Sequence, residues 1–190
     1  MNRNERRVAS REPQNRALIF VEGSTEELYL KSLVERGVNV KIITLTSHEK
    51  TPRQMVNNCK TRMKDQGIDL KNGDKVFCVF DVDRNEKENF EESYRLAEKE
   101  GIMLIVSNPC FEIWPLFHFL RYDGTKLTCK EISEKLSKHL KSKYSKTNDY
   151  RKVYNPLREK AIQNSKDAAT ERSLRTPVDF FNTPNSTTCI

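Results

Sequence analysis

Three acidic residues stand where the chain leaves an apolar run. Glu22 directly follows Ala17-Leu18-Ile19-Phe20-Val21, and Asp81 and Asp83 follow Val76-Phe77-Cys78-Val79-Phe80. Hard oxygen donors of this kind suit Mg²⁺ or Mn²⁺. In extended backbone, residues i and i+2 point to the same side, so Asp81 and Asp83 can face one ion while Val82 turns toward the core. Crowded together without a cation, three carboxylates repel one another and one titrates high. The bland alternative is that Asp81 and Asp83 cap the start of a turn. Glu26 falls on the first turn of the helix expected after Glu22, where it either joins the ion or pairs with the helix dipole. Gly23 lets the backbone turn off the strand and approach a phosphate closely, or is an ordinary turn glycine.

For these acids to meet, the two apolar runs must be neighbouring strands. Each is short, continuous and apolar, as strands buried on both faces of a parallel sheet are. Ser24, with Glu27 three residues on, reads as the capping box of a helix ending near Gly37. Val38 to Thr46 is strand-like, Pro52 to Met63 helical with proline in its first turn, Glu88 to Glu100 helical up to Gly101, and Ile102 to Val106 a fourth strand. The order β-α-β-α-β-α-β predicts a Rossmann-like α/β fold: a parallel four-stranded sheet with helices on both faces. In such sheets ligands bind beyond the C-terminal strand ends, at the switch point. After residue 108, Phe111 to Leu120 reads as a short buried helix, and Lys130 to Lys143 and Asp149 to Ala169 as basic amphipathic helices. The expected organisation is a basic disordered lead-in over 1–15, an α/β domain over 16–120, and a helical C-terminal extension over 121–190 in the same compact unit. The last fifteen residues are expected to be irregular.

Charge is unevenly distributed. The net charge is +7, but residues 121–175 hold fifteen Lys or Arg against seven acids, whereas 17–120 hold fourteen bases and seventeen acids. Acids that collect a cation, between basic flanks that collect phosphates, fit a nucleic-acid substrate; solvated helix faces are the other reading of those lysines. The five cysteines show no CxxC pair, which argues against structural zinc or a disulfide framework. The first twenty residues carry no apolar secretory stretch and no run of about 18 apolar residues follows. The expectation is a cytoplasmic protein with no membrane partner.

Phe20-Val21-Glu22-Gly23-Ser24-Thr25-Glu26 resembles the first Toprim motif, and Val79-Phe80-Asp81-Val82-Asp83 the second. The EGxTE form looks most like overcoming-lysogenization-defect nucleases. Ser107-Asn108-Pro109-Cys110-Phe111-Glu112-Ile113-Trp114 with His118 resembles the SNPCFExW…H signature of the RloB family, which is similar to Toprim proteins. The resemblance covers roughly residues 16–120; the segment Asn182 to Thr188 is only loosely similar to the family's NPST-like ending. It implies a metal-dependent nuclease of a phage-defence, abortive-infection or restriction locus, encoded beside an ATPase partner.

On this reading Glu22, Asp81 and Asp83 hold Mg²⁺ or Mn²⁺ with Glu26 as a further ligand, and Glu26 and Glu112 assist or act as base. Asn108 bears on the ion's waters or the substrate. Arg84 and Lys87 clamp the phosphate or are solvated loop cations. His118 is a general acid or a packed polar residue. The substrate is RNA, with tRNA a candidate, or DNA, and a homo-oligomer is compatible with the sequence. Two other classes stay open: a non-catalytic nucleic-acid or effector-binding subunit of an ATPase, and a haloacid-dehalogenase-like phosphatase using the apolar-DxD context. The sequence contains no GxxxxGK[ST] segment of its own.

Overall fold

The computed structural model describes residues 15–34, 39–44, 51–82, 87–121, 126–171 and 186–187. Strand β1 (Ala17–Val21) leads to α1 (Ser24–Leu33), β2 (Val40–Thr44) to α2 (Pro52–Asp65), β3 (Lys75–Asp81) to α3 (Lys87–Glu100), and β4 (Ile102–Asn108) to the short α4 (Ile113–Phe117). Helices α5 (Cys129–Leu140), α6 (Arg151–Tyr154) and α7 (Arg158–Glu171) form the extension, and β5 (Ser186–Thr187) is a final two-residue strand. The sheet order is β2-β1-β3-β4-β5. The first four strands are parallel, and β5 runs antiparallel to β4.

The alternation of side chains across each strand feeds two cores. Leu18, Phe20, Val76, Cys78 and Phe80 pack on one face with Met55, Val56 and Cys59 of α2 and Phe90 and Ala97 of α3. Val21, Val79 and Ile105 pack on the other with Tyr29 and Leu30 of α1, the α4 segment, Ile132 and Leu136 of α5, and Ala161 and Ala168 of α7. The expected α/β architecture, with helices on both faces, is therefore present. The extension shares a core with the sheet face that carries α1 and α4. It is fastened there by Asn164, whose Nδ2 donates to the Phe117 carbonyl at 2.7 Å, and by Lys160, whose Nζ donates to the Phe119 carbonyl at 2.9 Å. These bonds take up carbonyls that the end of a short helix leaves open.

Several expectations need correction. The N-cap of α1 is Gly23 rather than Ser24; its backbone is extended and its carbonyl receives the Glu27 N–H at 3.3 Å, so Ser24 already lies in the first turn. The basic segment from Asp149 is not one helix. Pro156 has no N–H to offer and sits in a 3-10 turn, Asn155–Leu157, that separates α6 from α7. The tail is not wholly irregular, because Ser186 and Thr187 pair with Asn108 and Ser107. Residues 1–14, most of the expected lead-in, lie outside the described residues. The described thiols, Cys59, Cys78, Cys110 and Cys129, form no disulfide with one another, and no described helix is long and apolar enough to cross a membrane.

Candidate metal and phosphodiester site

The register between β1 and β3 sets Val21 opposite Val79, so both strands deliver their terminal acids to one edge. The Glu22 Oε2 atom approaches the Asp81 backbone N–H at 3.5 Å. Asp81 lies across from Ser107 of β4, and its carboxylate accepts a hydrogen bond from the Phe111 amide. Because Phe80 is committed to the α2/α3 core, alternation turns Asp81 to the opposite face, toward α4. Val82 packs with the α2/α3 core, as expected for the residue after Asp81.

Two further acids come from the helices on that face. The buried positions of α1 are Glu26, Tyr29 and Leu30, so an acid heads the i, i+3, i+4 stripe that normally carries apolar side chains. Gly23 makes room for it: a Cβ there would stand 3.1 Å from Glu26 Oε2. Glu112, just before α4, is 1% exposed. Its Oε1 lies 2.9 Å from Lys146 Nζ, while its Oε2 has no hydrogen-bond partner among the described residues.

The electrostatics show that these groups sense one another. Burial raises Glu26, with the charges of Glu112 and Glu22 adding and that of Lys146 opposing, to a pKa of about 7. Asp81 is held well above the ordinary carboxylate range, first by burial and then by the charges of Glu26, Glu112 and Glu22, against the Phe111 hydrogen bond. Four acids carried by β1, α1, β3 and α4 thus share one edge, with Glu26 and Glu112 buried and Glu22 exposed, an arrangement of the kind that perturbs pKa values at functional sites.

Among the described residues, no three Asp, Glu, His or Cys side chains are gathered closely enough to coordinate a single ion. The set matches a hard divalent cation in donor chemistry: carboxylate oxygens throughout, one of them buried without a hydrogen bond. Asp83 and Arg84 lie outside the described residues, and Lys87 is the first residue of α3. Asn108 ends β4 beside this edge and is 9% exposed.

His118 sits elsewhere. It is fully buried, its Nδ1 is 3.2 Å from the Trp114 carbonyl and its Nε2 3.1 Å from the Tyr29 hydroxyl. The rings of Tyr29, Trp114 and Tyr154 surround it. Burial lowers its pKa to about 4, although the Trp114 and Pro115 backbone favours the charged form. It therefore stays neutral at physiological pH and packs the α4 core. The sign of its linkage follows: folding prefers the neutral ring, so stability is full above the unfolded value near 6.5 and is lost as pH falls toward 4. Urea midpoints at pH 7, 5 and 4 should show His118→Gln losing less stability over this range than wild type, by up to about 3 kcal/mol. Equal slopes would refute the assignment.

Sequence reasoning missed Lys146. It is one lysine among many in a Ser-Lys-rich stretch, and only the flanking Tyr144 and Tyr150 mark that stretch as something other than a solvated loop.

A family model described as RloB-like protein matches residues 17–189. The chain belongs to the RloB-like family. No curated protein and no solved structure matches it. The match runs through both the α/β core and the extension of this RloB-like chain and takes in Ser186–Thr187, the strand that pairs beside the carboxylate edge.

Proposed function

We propose that this RloB-like protein is a divalent-metal-dependent nuclease acting on RNA, with tRNA a candidate, in preference to DNA, in a phage-defence or restriction-linked setting with an ATPase partner. The observation that carries the reading is the convergence of Glu22, Glu26, Asp81 and Glu112 at the C-terminal edge of the sheet, where Glu112 keeps a buried oxygen without a hydrogen bond. Ligands of parallel α/β sheets bind at this edge. The resemblance of the Glu22 and Asp81-Val82-Asp83 segments to Toprim motifs supports the same assignment.

Glu22, Asp81 and Asp83 would hold Mg²⁺ or Mn²⁺. When bound, the ion supplies Lewis-acid polarisation of the phosphodiester and makes water a better nucleophile. Glu26, with a pKa of about 7, is suited to accept the proton of the attacking water near neutral pH. Water oxygen would then bond to phosphorus as the phosphorus–oxygen ester bond breaks, the leaving oxygen taking up a proton from solvent, to which Glu26 returns the one it accepted. Glu112 would bear on the ion or its waters from the α4 side, and Asn108 on the ion's waters or the substrate. The basic residues of α5 to α7 bind the nucleic-acid backbone without reading sequence.

The reading is tested by incubating the protein with total tRNA, other RNA and plasmid DNA, with Mg²⁺ or Mn²⁺ and with EDTA, alone and with the neighbouring ATPase. Cleavage that EDTA abolishes is expected. The fifteen Lys or Arg of residues 121–175 would serve a second reading equally well, a binding subunit without chemistry. Nucleic-acid binding that is indifferent to EDTA, with no cleavage in any combination, would establish that reading instead.

A further inference from the structure

Lys146 reaches the carboxylates from the segment that joins α5 to α6, and that segment is built to deliver it. Helix α5 stops where Lys141 adopts a left-handed conformation with φ 54°. The turn is then secured by Ser142 N–H to the Ser137 carbonyl at 3.2 Å and Tyr144 N–H to Ser137 Oγ at 2.9 Å. Ser145 N–H donates to the Tyr150 hydroxyl at 2.8 Å, and the Tyr144 and Tyr150 rings stack 5.6 Å apart. The result is a braced arm whose tip carries an ammonium 2.9 Å from Glu112 Oε1.

The pair is asymmetric. The Lys146 side chain is 63% exposed and that of Glu112 1%. An ion pair at the surface contributes little because both partners are well solvated when apart. Here one partner is buried, and withdrawing the lysine leaves a carboxylate with neither water nor a counter-charge. Lys146 can leave, since most of its side chain already meets solvent, whereas Glu112 cannot. The same ammonium also bears electrostatically on Glu26 and Asp81, so its charge serves the cluster.

We propose that Lys146 is the tethered counter-cation of this carboxylate cluster, competing with a divalent ion for Glu112, so that the helical extension sets the ion affinity of the sheet-edge site. The inference deepens the metal-dependent reading and rests on it. It makes α5, α6 and the arm between them part of the centre rather than a separate binding platform. Lys146 is a positioning residue in this scheme: it holds Glu112 in place until an ion takes over the carboxylate.

The test reads ion binding without any cleavage, by electron paramagnetic resonance titration of Mn²⁺ into the intact protein in the absence of nucleic acid. Lys146→Gln is expected to bind Mn²⁺ about tenfold tighter than wild type. Lys146→Arg, which keeps the charge, should stay within about twofold of wild type, as should Lys143→Gln, which removes a charge from the same arm. In a Glu112→Gln background the Lys146→Gln gain should vanish, because the competing pair is already broken. Unchanged or weaker binding by Lys146→Gln overturns the proposal, and so does an equal gain in Lys143→Gln or a gain that persists without Glu112. If neither wild type nor Lys146→Gln binds Mn²⁺, the metal-dependent reading falls and this inference with it. If wild type binds and Lys146→Gln matches it, only this inference falls.

Discussion

Asp81→Asn is expected to reduce phosphodiester cleavage by about a thousandfold, roughly 4 kcal/mol of transition-state stabilisation, while leaving the protein folded. Asparagine keeps the shape of the side chain and an oxygen that can accept the Phe111 N–H, but it removes the charge on which the proposed ion binding would depend. The same substitution should raise the melting temperature of the ion-free protein at neutral pH. The folded state holds Asp81 above its ordinary value of 3.8, first through burial and then through Glu26, Glu112 and Glu22. Stability from this group is therefore present below the unfolded value and lost as pH rises through the higher folded one. An uncharged amide at this position suffers no such loss. Melting curves at pH 4 and pH 7, with and without Mg²⁺, check both signs: Mg²⁺ should stabilise wild type and have little effect on the variant. A variant that cuts at the wild-type rate would remove Asp81 from the chemistry.

Trp114→Ala should produce the largest loss of stability, about 3–5 kcal/mol, enough to lower the melting temperature by about 10 °C. The indole is 1% exposed and packs edge-on against Tyr29 and His118, with ring centres 6.3 Å and 5.6 Å away. Its removal opens a void among α1, α4 and α6, the elements that set Glu26 and Glu112 in place. Activity should fall along with stability. Met103→Ala is the control, because Met103 is 41% exposed and should change stability by less than about 0.5 kcal/mol. Comparable melting of the two variants would show that the α4 core does not hold the fold as described.

Much of this architecture was legible in the residues. Ala17 to Val21 and Val76 to Phe80 could be read as doubly buried strands because nothing in them tolerates water. Placing an acid after each predicts a shared edge once the strands are adjacent, and β1 and β3 are adjacent. Gly101, with φ 69°, ends α3 as its sequence suggests. What stayed hidden depends on contacts between distant segments. Lys146 meets Glu112 only because Lys141 turns the chain and Ser137 and Tyr150 brace it, and no local pattern encodes that meeting. The pairing of Ser186–Thr187 with β4 is likewise long-range, and two residues are too few to show strand alternation. The α6/α7 break was within reach, since Pro156 stands inside an otherwise helical stretch. His118 lies four residues after Trp114, one helical turn, and that spacing turns its ring back into the α4 core and away from the acids.

The sheet divides the interior into two packings, and Glu26, Asp81 and Glu112 belong to the α1/α4 side. Protein engineering can use this partition. Substitutions that tighten the contacts of α2 and α3, around Met55, Phe80 and Phe90, offer a route to a hardier scaffold that leaves Glu26, Asp81 and Glu112 undisturbed. Randomised libraries aimed at the proposed activity belong on the opposite face, which carries the buried acids.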